Sequence, residues 1–278
     1  MEGTLTVPAI VALLCRTSDR TAGGARGARA LARALGERLD LEPRIVGSPG
    51  EPHPAAWDED LRASRGCLLE AGGQVDDALA AGRRPVLLAS DCSICMTTLP
   101  SVARHHPDAR VLWLDAHGDF NTPDTTPSGF LGGMCLAAAC GRWDSGLFDQ
   151  VEAFDPSRVV LCGVRDLDPG ERAALELAGV PGVARPSEVP DLLRDAPVYV
   201  HLDLDVLDPE VFPAQFPVAH GLSGAGLRTL LAEVARATTV LGVEVTAFEA
   251  AGDPDEVARL ADLAASATVP LLAQRAEA

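Results

Sequence analysis

Val111-Leu-Trp-Leu-Asp-Ala-His-Gly-Asp-Phe-Asn121 is the stretch on which the fold turns. Its first four residues are apolar on both faces, as a strand covered on both sides must be, and its second half is a run of acids, histidine and glycine. Tyr199-Val-His-Leu-Asp-Leu-Asp-Val-Leu-Asp-Pro209 has the same order, an apolar run that ends in aspartates. Further strands are expected at Leu5–Leu14, Arg44–Val46, Pro85–Ala89, Arg158–Cys162 and Thr239–Ala247, with these two at Arg110–Asp115 and Val198–Asp203. Amphipathic stretches between them predict helices over Gly27–Leu39, Glu59–Ala81, Ile94–His105, Leu131–Cys140, Pro169–Ala178, Ser223–Ala235 and Pro254–Ala265. Two-faced strands alternating with helices predict an α/β fold of three layers, α/β/α, around a mostly parallel central sheet. Gly47–Pro54 and Asp205–Pro217 read as loops too short to separate domains, so residues 1–278 are expected to form a single domain.

Composition narrows the function classes. Apolar residues make up 47% of the 278 and charged residues 23%, which excludes a disordered chain. Runs such as Val7–Cys15 fall short of the ~18–20 apolar residues of a membrane span. No basic region precedes an apolar one at the start, so no signal peptide is expected and the protein is placed in the cytoplasm. With 23 Lys+Arg against 40 Asp+Glu the net charge is −17. Such a surface repels phosphate, which argues against nucleic acid and anionic membrane as partners. The seven cysteines are odd in number, and Cys15, Cys67, Cys135, Cys140 and Cys162 sit in apolar settings. Reduced, buried thiols are therefore expected rather than a disulfide framework.

Parallel sheets bind ligands beyond the carboxyl ends of their strands, and the acids cluster there. Asp115, His117 and Asp119 occupy alternate positions; if the chain stays extended, their side chains converge. Carboxylates with an imidazole suit Mn²⁺, Fe²⁺, Co²⁺ or Zn²⁺. Asp203 and Asp205 crowd a second strand end and would repel each other without a cation between them. The plain alternative is loop caps, a solvated strand end and a satisfied core histidine. At a third strand end, Asp91 and Cys92 precede a helix, whose N-terminus would lower the thiol pKa. Cys92 can equally be an ordinary buried thiol, or half of a redox pair with Cys95. His201 lies two residues before Asp203, as floor of the site or as a satisfied core group. The run Gly23-Gly-Ala-Arg-Gly27 lacks the spacing of a dinucleotide fingerprint.

Taken together, from about Pro85 to Asp255, these segments resemble the ureohydrolase family of arginases, agmatinases and formiminoglutamases. Those enzymes hydrolyse guanidino or formimino C–N bonds at a dinuclear manganese centre. The resemblance implies two Mn²⁺ per subunit, with Asp115 and Asp203 bridging both. His117 and Asp205 would complete one shell, Asp119 and Cys92 the other. The position of Cys92 is normally His, within Gly-Gly-Asp-His-Ser; a soft thiolate there would weaken one site or favour another divalent metal. Asp205, Asp91 and His117 are the catalytic candidates, with Asp205 or Asp91 relaying a proton to the leaving amine. Asn121, Thr126 and Ser128 match positions that bind a substrate α-carboxylate, and Asp168 and Glu171 positions near the α-amino group. The alternative for the last two is turn and helix-start chemistry.

Two family residues are absent. Gly132 stands where arginases carry a proton-shuttle His, and Ala247 where they carry a Glu that holds the guanidinium. Glu249, at the same strand parity as Ala247, is expected to substitute, and Glu244 to point to the other face. Cys92, with the runs at 117–123, 129–134 and 139–146, is similar to the branch that converts Nω-hydroxy-L-arginine to ornithine and hydroxyurea in antibiotic biosynthesis. A hydroxyguanidine is less basic than guanidine and needs less from a paired carboxylate. The resemblance thus implies an amidino hydrolase of a small guanidino substrate, working as a trimer or hexamer. Another guanidino substrate, or a non-catalytic relative with a damaged metal site, is the alternative.

Overall fold

The computed structural model describes residues 7–147 and 153–273. Seven strands, β1 (Pro8–Leu13), β2 (Arg44–Val46), β3 (Arg84–Leu88), β4 (Arg110–Leu114), β5 (Val159–Cys162), β6 (Val198–Asp203) and β7 (Val240–Thr246), form one sheet in the order β2-β1-β3-β7-β6-β4-β5. Every pairing is parallel. For β2 to β7 each expected boundary is met within one residue; Leu5 and Thr6 of the first expected strand lie outside the described residues.

The sheet is covered on both faces. Ile10, Ala12, Leu88, Leu112, Val200 and Val243 pack on one side with helices α1 (Gly23–Leu39), α6 (Val189–Leu193), α7 (Gly224–Ala237) and α8 (Pro254–Leu272). Val11, Leu13, Leu87, Val111, Trp113 and Tyr199 face α2 (Trp57–Ala80), α3 (Cys95–His105), α4 (Cys135–Ala139) and α5 (Pro169–Ala178). This alternation of burial explains why β4 and β6 read as continuous apolar runs. Helix α6, which the sequence does not announce, has five residues and so shows no period to read. Helix α1 starts four residues earlier than expected, because its glycines let it press on the segment after β7. A Cβ on Gly27 would stand 1.9 Å from the Phe248 carbonyl oxygen. The glycine run is therefore a packing device rather than a phosphate loop.

One expectation is overturned. Cys15, just past β1, is disulfide-bonded to Cys67 of α2, with Cα atoms 6.0 Å apart. That separation is within bridging reach, but the partners are 52 residues apart, and nothing in their spacing signals a meeting. The other five cysteines are free and buried. Among the described residues no helix is long and apolar enough to cross a membrane.

The strands β3, β7, β6 and β4 lie side by side at the centre of the sheet, though far apart in sequence. Their carboxyl ends meet where the strand order reverses, the place where open parallel sheets bind ligands.

Candidate functional site

Asp115 follows the last residue of β4 and is fully buried. Its Oδ1 accepts the His117 amide at 2.7 Å, while its Oδ2 is buried with no hydrogen-bond partner. His117 Nδ1 stands 3.0 Å from Asp205 Oδ2 and 3.4 Å from Asp115 Oδ1. At the end of β6, Asp203 Oδ1 accepts the Asp205 amide at 2.7 Å, and Asp205 Oδ1 accepts the Ala116 amide at 3.0 Å. The two strand ends are thus laced through the carboxylates themselves. Asp119 joins them by a turn and not by extended alternation: its φ is +48°, and its carbonyl accepts the Leu136 and Ala137 amides of α4. An aspartate tolerates that left-handed backbone better than most side chains.

Asp91 follows β3 and caps a single turn that begins at Cys92, accepting the Ser93 amide at 2.9 Å. Cys92 Sγ donates to Asp203 Oδ2 at 2.8 Å and lies 3.0 Å from Thr246 Oγ1 and 3.2 Å from His201 Nε2. Below it His201, fully buried and stacked 3.6 Å from the Trp113 ring, sets its Nδ1 2.6 Å from Glu244 Oε1. Glu244 in turn accepts from Thr98 at 2.5 Å and Tyr199 at 3.2 Å. Glu244 lies outside the cavity wall, beneath His201, on the face opposite to the strand parity of Ala247 as expected. The sequence carried one sign of His201's place: it shares strand parity with Asp203.

At β7 the strand stops at Thr246 and Ala247 takes φ +58°, so parity no longer governs the residues beyond it. Glu249 nevertheless lines the cavity beside Ala247, and its Oε2 accepts from Thr21 at 2.6 Å. The expected residue arrives there for a different reason. The cavity wall comprises Ser90, Asp91, Cys92, Asp115, His117, Asp119, Phe130, Gly132, Asp203, Asp205, Gln215, Phe216, Ala247 and Glu249. A Cβ on Gly132 would meet the Phe130 ring at 2.5 Å, so an aromatic ring fills the space beside that position.

Five expected substrate contacts lie outside this wall. Asn121 donates to Asp168 at 3.1 Å and accepts from Thr125 at 3.0 Å. Thr126 and Ser128 accept the Gly129 and Phe130 amides. Asp168 and Glu171 form the capping box that opens α5, and Glu171 Oε1 also accepts the Phe120 amide at 2.8 Å. These side chains hold loop and helix together beside the cavity.

Burial dominates the electrostatics. It pushes Asp115 up to about 6, with the Asp205 charge adding to it, and raises Asp203 and Asp119 well above the carboxylate range. Burial alone would lower His117, but hydrogen bonds to Asp115 and Asp205 take it to about 12. Asp205 moves down, because that imidazole outweighs its own desolvation. The Cys92 thiol, expected to be acidic at a helix start, is instead pushed well up, first by burial and then by the Asp203 charge. Its turn is too short and its neighbours too negative for the helix effect to win.

Packed carboxylates with an unpartnered oxygen, an imidazole and a thiol suit a divalent cation. Donor atoms of Asp115, His117 and Asp205 lie within 4.8 Å of one another, as do those of Cys92, Asp115 and His201. The first group is part of an expected shell. In the second, His201 stands where Asp119 was expected beside Cys92; Asp119 lines the wall but belongs to neither group.

Residues 11–272 match the model of the arginase family. The chain belongs to that family. It is 40% identical over 260 residues to an N(omega)-hydroxy-L-arginine amidinohydrolase from Streptomyces lavendulae, covering 91% of this chain and 94% of that one. An arginase from Bacillus caldovelox is 36% identical over 182 residues, 59% of this chain and 60% of its own. Among solved structures, a Bacillus subtilis arginase superposes with a TM-score of 0.84 at 26% identity, covering 98% of this chain and 100% of that one. The expected assignments, an arginase-like α/β fold and a hydrolase of amidino C–N bonds, are borne out by this membership.

Proposed function

We propose that this arginase-family protein hydrolyses Nω-hydroxy-L-arginine to L-ornithine and hydroxyurea, using two divalent metal ions, Mn²⁺ by preference. The observation that carries the reading is the cluster of buried Asp115, Asp203, Asp205 and Cys92 with the half-buried His117, in which one carboxylate oxygen has no partner. Likeness to the Streptomyces lavendulae hydrolase over 91% of the chain supports the choice of substrate. Asp115, His117 and Asp205 would hold one ion, and Cys92, Asp115 and Asp203, with Asp119 or His201, the other. When bound, such a pair supplies a water acidic enough to attack near pH 7 and polarises the group attacked. The bond broken joins the guanidino carbon to the chain nitrogen that ornithine keeps as its δ-amine.

The protein side chains supply the rest. Water loses a proton, and the departing nitrogen gains one; Asp205 and Asp91, both in the wall, are the groups that carry it. One Asp91 oxygen is engaged by the Ser93 amide, which fixes the carboxylate while the other stays available. Glu249, also in the wall and held by Thr21, would face the guanidino group. The proposal covers a single catalytic domain, cytoplasmic and homo-oligomeric as the family resemblance implies.

The test is ornithine release from hydroxyarginine and from arginine with added Mn²⁺, alongside metal analysis of the purified protein. Two ions per chain and turnover of hydroxyarginine well above arginine are expected. Faster turnover of arginine would make the protein an arginase. No bound metal and no product from either would make it a non-catalytic relative.

A further inference from the structure

We propose that Arg20 is a specificity-determining residue that takes the α-carboxylate of the substrate at the mouth of the cavity. The inference rests on the reading of the substrate as a guanidino amino acid. Such a molecule is a zwitterion, and its carboxylate must approach a wall of aspartates and Glu249 that holds no lysine or arginine of its own. The groups that the family resemblance offers for this carboxylate, Asn121, Thr126 and Ser128, are neutral: Thr126 and Ser128 accept amides of their own loop and Asn121 donates to Asp168, so none of them brings a positive charge to the mouth.

Arg20 lies on the loop between β1 and α1. Its guanidinium carbon sits over the Phe130 ring, 4.7 Å from the centre, and 6.0 Å from the centre of Phe216. Both rings belong to the cavity wall and lie 5.0 Å apart. The Arg20 Nε is buried without a partner, and among the described residues the side chain forms no hydrogen bond or ion pair. Arg20 as a whole is half-buried, and a buried N–H is ordinarily satisfied, so a guanidinium held only by aromatic faces has donors in reserve. Resting on a ring keeps the charge and leaves the in-plane N–H fork open to a carboxylate.

The loop is braced for this task. Arg16 donates to the Asp19 carbonyl at 3.1 Å and pairs with Asp60 at 2.7 Å, Asp19 accepts the Thr17 amide at 3.0 Å, and Cys15 is tied to α2. A donor held in place before binding loses little entropy when the ligand arrives.

The experiment compares wild type with Arg20→Gln and Arg20→Lys on hydroxyarginine and on its decarboxylated analogue. Losing a charged hydrogen-bond partner should raise KM for hydroxyarginine by about tenfold or more in Arg20→Gln, with kcat little changed. KM for the decarboxylated analogue should not move, and Arg20→Lys should recover part of the loss. Equal effects on both substrates, or none, would overturn the proposal. Should the wild type turn over neither, calorimetric binding of L-ornithine and of 1,4-diaminobutane to the metal-loaded protein gives the same comparison without catalysis. Weaker ornithine binding alone in Arg20→Gln then upholds the carboxylate contact while the proposed reaction falls; an unchanged affinity sinks the contact.

Discussion

Asp115 Oδ2 is a buried anion's oxygen that no donor reaches, beside a second carboxylate at Asp205. Without a cation that arrangement opposes folding; with one it would supply ligands. Asp115→Asn should therefore act in opposite directions in the two states. Treated with chelator, the variant should be as stable as wild type or more stable by roughly 1–3 kcal/mol, since a buried like charge is gone. With Mn²⁺ added, wild type should gain in melting temperature and the variant should not. Equal gains in both would remove Asp115 from the ligand set. Cys92 poses a different question, because a thiol stands where the family resemblance implies an imidazole. Cys92→His should raise Mn²⁺ occupancy and shift preference toward arginine, read by metal stoichiometry and by the ratio of kcat/KM values. The larger ring must fit between Asp203, Thr246 and His201, so some loss of stability, of order 1–3 kcal/mol, is expected alongside. Unchanged stoichiometry would speak against Cys92 as a ligand.

The elements decide whether Glu171 is a substrate contact or a cap. It sits in the first turn of α5 and accepts two backbone amides, from Phe120 at 2.8 Å and Asp168 at 3.2 Å, and burial raises it to about 7 from an ordinary 4.5. Between those values the folded state holds a proton that the unfolded state has lost, so stability falls as pH rises from about 4.5 to 7. Glu171→Gln keeps an acceptor and cannot ionise. Its stability relative to wild type should improve by roughly 1–3 kcal/mol from pH 5 to pH 8, with KM unchanged. A rise in KM without that pH trend would return Glu171 to the substrate. The sequence already held the sheet, since apolar runs that alternate with helices admit few other folds, and it held the aspartates at the ends of β4 and β6. What it could not hold were contacts made by a turn or across the sheet. Asp119 reaches the cavity through a left-handed backbone, and Glu249 through a break at Ala247. His201 meets Cys92 from another strand, 109 residues away. Strand parity says nothing about the first two, and for His201 it gives the face but not the partner.

At the scale of the molecule the sheet has a covalently tied flank and an untied centre. The Cys15–Cys67 bridge encloses α1 and β2 and fastens the exit of β1 to a helix on one face of the sheet. The proposed metal ligands come instead from the ends of β3, β4 and β6, with nothing covalent joining them. Closing a loop of 52 residues is worth at most about 4 kcal/mol in chain entropy, and engineered cases often yield less. Denatured without reductant, the protein should show five reactive thiols out of its seven cysteines. Cys67→Ser, or reduction of the native protein, should lower stability by roughly 2–4 kcal/mol. The same change should loosen the loop that carries Arg20 more than the carboxylate cluster, because the cluster is held by β4 and β6. KM for hydroxyarginine should consequently rise in Cys67→Ser while metal stoichiometry stays at the wild-type value. Seven reactive thiols in the untreated protein would show that the bridge does not form, and a parallel loss of metal would show that the flank and the centre are one mechanical unit.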